Sequence, residues 1–492
     1  MTTGDEPSLG QRTARGASFM LVARILGTVG AIAATAVMAR FVTPEEFGLV
    51  AMVVAVLGIA RVLEELGLGD AVIQRESIGD DEVTTLAIVN VVAGLVLGVI
   101  FAAASPLVAA LFDRPELVPF CIALSPMFLL AGLGAQPRAM MRRGFRFGPL
   151  AAAQTVATIL AAVVGIVAAL GGLGAWSIVA QHLAGGTALT IGCWIASGWR
   201  PVAPASLARV VPMLKYGLNL GASQLLNALT RNLDDILIGR FVGASAVGAY
   251  GRAFQLMTLP ATQLNQPLTS AIVPALSRLQ GDPDGYRSLY RSCVEVIASL
   301  AFPLAVFTGV AAPAMVLTIL GPDWGESIDL LRALSPAGLM VSLNVATGWV
   351  YLSLGRTDRQ LRWRILGSSA AVIGMIAGLS WGGAIGLAIG LSTARVVMRV
   401  PAVLYCFHGT PLVIGDMASV IWRTAVASAV AGVATWWADP VEWPAFGRLA
   451  VQTVVFASIW IGVMMVIPGG LSRLRAGLGL LRDLRRGTPN DA

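Results

Sequence analysis

The chain of 492 residues is 56% hydrophobic and only 12% charged, with a mean hydropathy of +0.78. Soluble domains carry about 25% charged residues, so this composition excludes a water-soluble globular protein and predicts an all-α integral membrane protein. The net charge of +7 sits in short connections between apolar windows, where it marks membrane topology and not a nucleic-acid partner.

Residues 1–17 form a polar N-terminal segment, expected in the cytoplasm. The apolar window after it is too long for the hydrophobic part of a cleaved signal peptide and contains Arg24, which predicts an uncleaved first helix over 18–41. A bilayer core takes about 20 apolar residues per helix. Windows of that kind recur at 46–66, 83–105, 117–137, 148–170 and 173–195, then at 213–239, 246–274, 290–313 and 327–354. The last four fall at 364–382, 384–406, 417–437 and 446–467, giving about fourteen transmembrane helices. Residues 468–492 are a basic tail.

The basic residues alternate with the turns. Most of the 34 lysines and arginines fall at the termini or at every second connection, and Arg395 and Arg399 are counted with the latter. The intervening connections and span ends hold Arg40, Arg114, Arg240, Arg252, Arg332 and Arg448, while Arg24 and Arg231 lie inside spans. The positive-inside rule then places both termini in the cytoplasm and requires an even number of spans.

Two bundles are expected, at 18–200 and 201–410, with two additional helices over 411–467. Arg40-Phe41-Val42 and Gly48 recur as Arg240-Phe241-Val242 and Gly248, an offset of 200 residues. Six spans separate the first and seventh helices, so the repeats run parallel, related by an axis along the membrane normal. The seventh span, Lys215–Gly243, is the most polar. Gln224, Asn227, Arg231 and Asp234 or Asp235 share a face at spacings of three and four residues.

Little else in the chain suggests bond-making chemistry. Cys121, Cys193, Cys293 and Cys406 stand singly in apolar surroundings, and His182 and His408 are isolated, so neither a metal nor a cofactor is expected. A GxxxxGK[ST] phosphate loop is lacking. Asp282-Pro283-Asp284 has the form of a glycosyltransferase DxD but sits in the turn-like GDPDG between spans, with no nucleotide-sugar domain beside it.

Four stretches, RFVTPEEFGLVAM, RRGFRFGPLA, YGLNLGASQLLNALTRNLDDILIGRFVGASAVGAYGRAFQLM and LGPDWGESIDLLRALSP, resemble the polysaccharide-transporter family of oligosaccharide flippases. That family belongs to the multidrug/oligosaccharidyl-lipid/polysaccharide flippase superfamily, and the resemblance covers roughly residues 15–465. It implies two bundles around a central cavity. It also implies a substrate, undecaprenyl-diphosphate-linked oligosaccharide, moved across the bacterial inner membrane for surface polysaccharide synthesis. Glycosyltransferases and a glycan polymerase would then be partners.

Intramembrane charges are costly and usually face a cavity. At about 1.5 Å per residue, Arg24 lies roughly 24 Å and Arg231 roughly 14 Å below the outer ends of their helices. With Arg252 nearer the outside, they form a ladder suited to a diphosphate, whose oxygens guanidinium binds bidentately. Gln224, Asn227, Gln263, Asn265, Gln266 and Asn344 are candidates for sugar hydroxyls. Asp234, Asp235 and Glu295 are candidates for coupling to a proton or sodium ion, and pairing of Arg231 with Asp234 or Asp235 is the structural alternative. In the basic connection Ala135–Gln154, Arg138, Arg142, Arg143 and Arg146 either set topology and touch lipid headgroups or dock the lipid diphosphate at the entrance. The competing functions are a cation-coupled multidrug exporter and a membrane polymerase or glycosyltransferase. A cationic drug favours acidic walls over Arg24 and Arg231, and the outward connections are too short for a polymerase site.

Overall fold

A computed structural model describes residues 30–470, except 31, 66–68, 70, 71, 73, 74 and 76. Several side chains, among them 215–224, 226, 227 and 259–267, also lie outside the described set. Arg24 and the tail beyond residue 470 therefore fall outside it, as do the side chains of Gln224, Asn227, Gln263, Asn265 and Gln266.

The described elements are helical throughout. They are α1 (Pro44–Glu65), α2 (Asp80–Ala103), α3 (Ser105–Phe112), α4 (Leu117–Leu124), α5 (Pro126–Arg143), α6 (Phe147–Leu170), α7 (Ala175–Ser197) and α8 (Leu207–Phe241). There follow α9 (Ala244–Arg278), α10 (Pro283–Val310), α11 (Ala312–Ile319), a 3-10 turn at Pro322–Trp324, α12 (Glu326–Ser353), α13 (Thr357–Val397), α14 (Arg399–Phe407), α15 (Ile414–Trp437) and α16 (Ala445–Val466). Nine helical stretches among the described residues are long and apolar enough to cross a membrane. This is a multi-pass membrane protein.

Of the fourteen expected spans the first, 18–41, lies largely outside the described residues, and the stretch that holds the other thirteen forms sixteen α-helices and one 3-10 turn. Short segments and prolines account for the difference. The span expected at 117–137 is broken at Ser125–Pro126, because proline cannot donate to the preceding turn. Conversely, 364–382 and 384–406 run on as α13, which reverses at Gly382 and Gly383. The expected boundaries otherwise fall close to the helices. The polar residues of α8 and α9 lower their hydropathy, and neither is among the nine apolar stretches.

The chain divides into two compact units, residues 1–248 and 249–492. In the first unit α6 packs along α7, α2 along α5 and α1 along α8. The α2–α5 contact brings two backbones together through glycine: a Cβ at Gly94 would press on the Phe128 carbonyl, and one at Gly132 on that of Asn90. Small residues allow such approach in membranes, where dispersion replaces the hydrophobic effect as the packing force. The segment TPEE starts α1 as a capping box. Thr43 N–H donates to Glu46 Oε2 at 2.8 Å, and Glu46 N–H donates to Thr43 Oγ1 at 3.3 Å.

In the second unit α10 packs against α12 and α15, α12 against α13, and α15 against α16. Tyr286, Tyr290, Trp349, Val350 and Cys406 are buried in its core. The GPDWG segment forms the 3-10 turn, with Trp324 buried and Ser327 Oγ donating to the Ala249 carbonyl at 3.0 Å. The GDPDG segment is a helix start: Asp282 Oδ1 accepts from Gly285 N–H at 3.0 Å and Pro283 occupies the first turn. One carboxylate of the apparent DxD is therefore a cap.

Candidate substrate pathway

In the first unit, the polar face of α8 carries Arg231, Asn232, Asp234 and Asp235 within two turns. Asp234 is 8% exposed, and its Oδ1 accepts the Asp235 N–H at 3.1 Å. Asp235 is half-buried, whereas Arg231 is exposed and makes no ion pair with either carboxylate among the described residues. Asn232 Nδ2 donates to the Ala228 carbonyl at 2.8 Å. Its side chain also sits over Gly58, where a Cβ would come within 3.4 Å of Asn232 Oδ1. This asparagine seats α8 on α1.

Nearby, the start of α1 meets the start of α9. A Cβ on Gly48 would collide with the Ala244 carbonyl, and one on Gly248 with the Pro44 carbonyl. The residue pairs 48–244 and 44–248 exchange under the offset of 200 seen in the sequence. The contact is thus self-complementary about a local two-fold.

In the second unit the remaining candidates sit on separate helices. Arg252, on α9, is half-buried and donates through Nη1 to Gln255 Oε1 at 2.6 Å. Glu295 is half-buried on α10. Asn344, on α12, is exposed, and its Oδ1 accepts from Arg399 Nη1 at 2.6 Å. That hydrogen bond occupies an acceptor that the sequence assigned to sugar.

Three of the four arginines of the basic connection end on backbone carbonyls. Arg138 donates to the carbonyls of Gly134 and Ala131 in its own helix at 3.0 and 3.1 Å. Arg143 Nη1 donates to the carbonyls of Val72 and Arg75 at 2.6 and 2.5 Å, and Arg146 Nη1 to Ser197, the last residue of α7, at 2.7 Å. Cations at helix C-termini offset the partial negative charge of unpaired carbonyls. Arg142 and Arg146 are exposed, and of the four only Arg142 carries no such bond among the described residues.

Several polar anchors do not stand out in the sequence. Asp416 is 3% exposed, accepts from the Val413 N–H at 2.9 Å and pairs with Arg287 Nε at 2.7 Å, joining the start of α15 to α10. Glu82 does the same at the start of α2: it accepts from Gly79 N–H at 3.3 Å and pairs with Arg75 at 3.5 Å and Arg209 at 3.4 Å. Acidic residues in first turns were the available signal. Arg399 is the larger omission. Counted with connection residues in the sequence, it is a buried residue at the junction of α13 and α14. Its place inside the expected span 384–406 was the clue.

Helical spans, glycine-mediated helix contacts and charged groups on otherwise apolar helices are the features of a multi-pass membrane protein. The chain matches the family described as polysaccharide biosynthesis protein over residues 37–329, and it belongs to that family. It is 26% identical over 395 residues to the lipopolysaccharide biosynthesis protein WzxC of Escherichia coli (strain K12), covering 80% of each chain. It is 27% identical over 359 residues to the teichuronic acid biosynthesis protein TuaB of Bacillus subtilis (strain 168), covering 73% of this chain and 74% of that one. Its fold is similar to the lipid II flippase MurJ in an inward closed conformation. The TM-score is 0.78 at 14% identity, over 92% of this chain and 99% of that one.

Proposed function

We propose that this protein flips undecaprenyl-diphosphate-linked oligosaccharide units from the cytoplasmic to the periplasmic leaflet of the inner membrane by alternating access. The observation that carries the reading is Arg231. It is a guanidinium on a membrane helix that its neighbouring carboxylates leave unpaired, although Asp234 and Asp235 stand three and four residues away. A charge at that depth is sustained by an anionic partner or by water, and a diphosphate is such a partner. Arg24 and Arg252 extend the same chemistry. Gln224, Asn227, Gln263 and Asn265 supply sugar contacts, and Arg142 supplies the headgroup contact at the entrance. Asp234, Asp235 and Glu295 are the groups proposed to take up a proton or sodium ion during the cycle. Both termini are cytoplasmic in this reading, with glycosyltransferases loading the lipid on that side and a polymerase receiving it outside.

The test is reconstitution into liposomes with a fluorescent undecaprenyl-diphosphate sugar. Arg231→Ala and Arg24→Ala are expected to slow translocation about tenfold or more, the scale of a lost charge-assisted hydrogen bond. Arg146→Ala, which removes a helix-end contact, should lower stability instead. Normal rates in both pathway variants would remove the arginine ladder. Export of a cationic dye without lipid flipping would favour the multidrug reading.

A further inference from the structure

Two guanidinium groups of the second unit converge on one serine. Arg291, on α10, donates through Nη2 to Ser419 Oγ at 3.4 Å, and Arg423, on α15, donates through Nη1 to the Ser419 carbonyl at 3.1 Å. Neither arginine forms an ion pair with a carboxylate among the described residues. Asp416, the carboxylate nearest to Ser419 in the chain, accepts from Arg287 Nε at 2.7 Å and from the Val413 N–H at 2.9 Å, so it is already committed. Asp284 lies at the exposed start of α10, and Glu295 is half-buried one turn beyond Arg291. Arg423 Nε is buried without a hydrogen-bond partner among the described residues. Two like charges held on one neutral residue repel each other, and partial burial strengthens that repulsion.

The place along the helix suits a membrane surface. Ser419 lies about 7.5 Å along the axis from Ile414, the first residue of α15. Arg423 reaches it by running back one turn toward that end, as a charged side chain does when its Cα lies in hydrocarbon. The guanidinium carbon of Arg423 is 5.0 Å from the centroid of the Trp422 ring, and Trp422 is 46% exposed. From there Trp422, Val426, Val430 and Val433 form an exposed apolar stripe along α15. An occupant that matches both features carries an anionic group at one end and hydrocarbon along the rest.

We propose that this corner of α10 and α15 binds an anionic glycerophospholipid, with its phosphodiester between Arg291 and Arg423 and an acyl chain on the stripe. Guanidinium holds phosphate oxygens bidentately. A headgroup with its own ammonium would bring a third positive charge to the pair, so phosphatidylglycerol is preferred over phosphatidylcholine. The bound lipid would offset the repulsion and fasten α15 to α10. The assignment needs no polyprenyl lipid and so stands apart from the flipping reaction.

The test uses the purified full-length protein in a neutral detergent, with no polyprenyl lipid present. Phosphatidylglycerol should raise the unfolding temperature saturably, and phosphatidylcholine should not. Arg291→Gln and Arg423→Gln should each raise the half-saturating phosphatidylglycerol concentration about tenfold, the scale of one charge-assisted hydrogen bond. If one of them does not fold, the other carries the test. Arg332→Gln, which removes an exposed charge on α12 that pairs with Asp329 at 3.4 Å, should leave that concentration unchanged. A wild type indifferent to phosphatidylglycerol, an equal rise with phosphatidylcholine or inorganic phosphate, or unchanged half-saturation in Arg291→Gln and Arg423→Gln would overturn the proposal.

Discussion

At the scale of single residues, arginine does two kinds of work in this protein. Arg143, Arg146 and Arg356 end on backbone carbonyls, Arg356 on those of His408 and Gly409. Arg231 has no such anchor among the described residues. Sequence position did not separate the two kinds, because the carbonyls are far away in the chain: Arg143 reaches Val72 and Arg146 reaches Ser197. The same limit hid Arg399, whose partners lie on α12. Glycine gives the sharpest residue-scale prediction. With a carbonyl against each missing Cβ at Gly48 and Gly248, Gly48→Ala and Gly248→Ala should each destabilise by about 1–3 kcal/mol. The measurement is the thermal midpoint in detergent, and Gly251→Ala, where no atom lies within 4 Å of the added carbon, should leave it nearly unchanged.

At the scale of elements, α13 shows how a sequence ends one span and begins the next without a loop. Its reversal rests on Gly383, at φ 57° and ψ −138°, beside Gly382 at φ −139° and ψ 18°. The two halves then fold back in contact, with Gly374 facing Gly390 and Gly378 facing Gly386 at backbone distance. The conformation of Gly383 is closed to other residues. Gly383→Ala should therefore cost about 1–3 kcal/mol, while Gly382→Ala has ordinary dihedrals and open space and should cost far less. A thermal midpoint that falls equally in both would show that the reversal does not depend on the left-handed residue. The span boundaries around this turn were legible in the sequence, since hydropathy and glycine act locally. The ion pair Arg287–Asp416, which ties α10 to α15, was not, because its members are far apart in the chain.

At the scale of the whole molecule, the all-helical membrane fold was legible from composition alone, as lipid admits few other ways to satisfy a backbone. The number of helices was not, because short segments and proline breaks do not change the hydropathy of a span. Orientation is open to a direct test. Cys121, Cys193, Cys293 and Cys406 are all buried, at 0–1% exposure, so the native protein should resist maleimide. Cysteines placed at the exposed Asp282 and Val441 should then label from opposite faces in intact cells, Asp282 only after permeabilisation. Labelling of both from outside would overturn the proposed topology.

The reciprocal contact of Gly48 with Ala244 and of Gly248 with Pro44 has the form of an isologous interface, in which each partner presents the same patch to the other. The residues that meet there, 44 and 48 against 244 and 248, are related by the offset of 200, so one chain encodes both sides of the contact. Each glycine is then free to change only if the other side yields. That constraint couples two sites 200 residues apart in the chain.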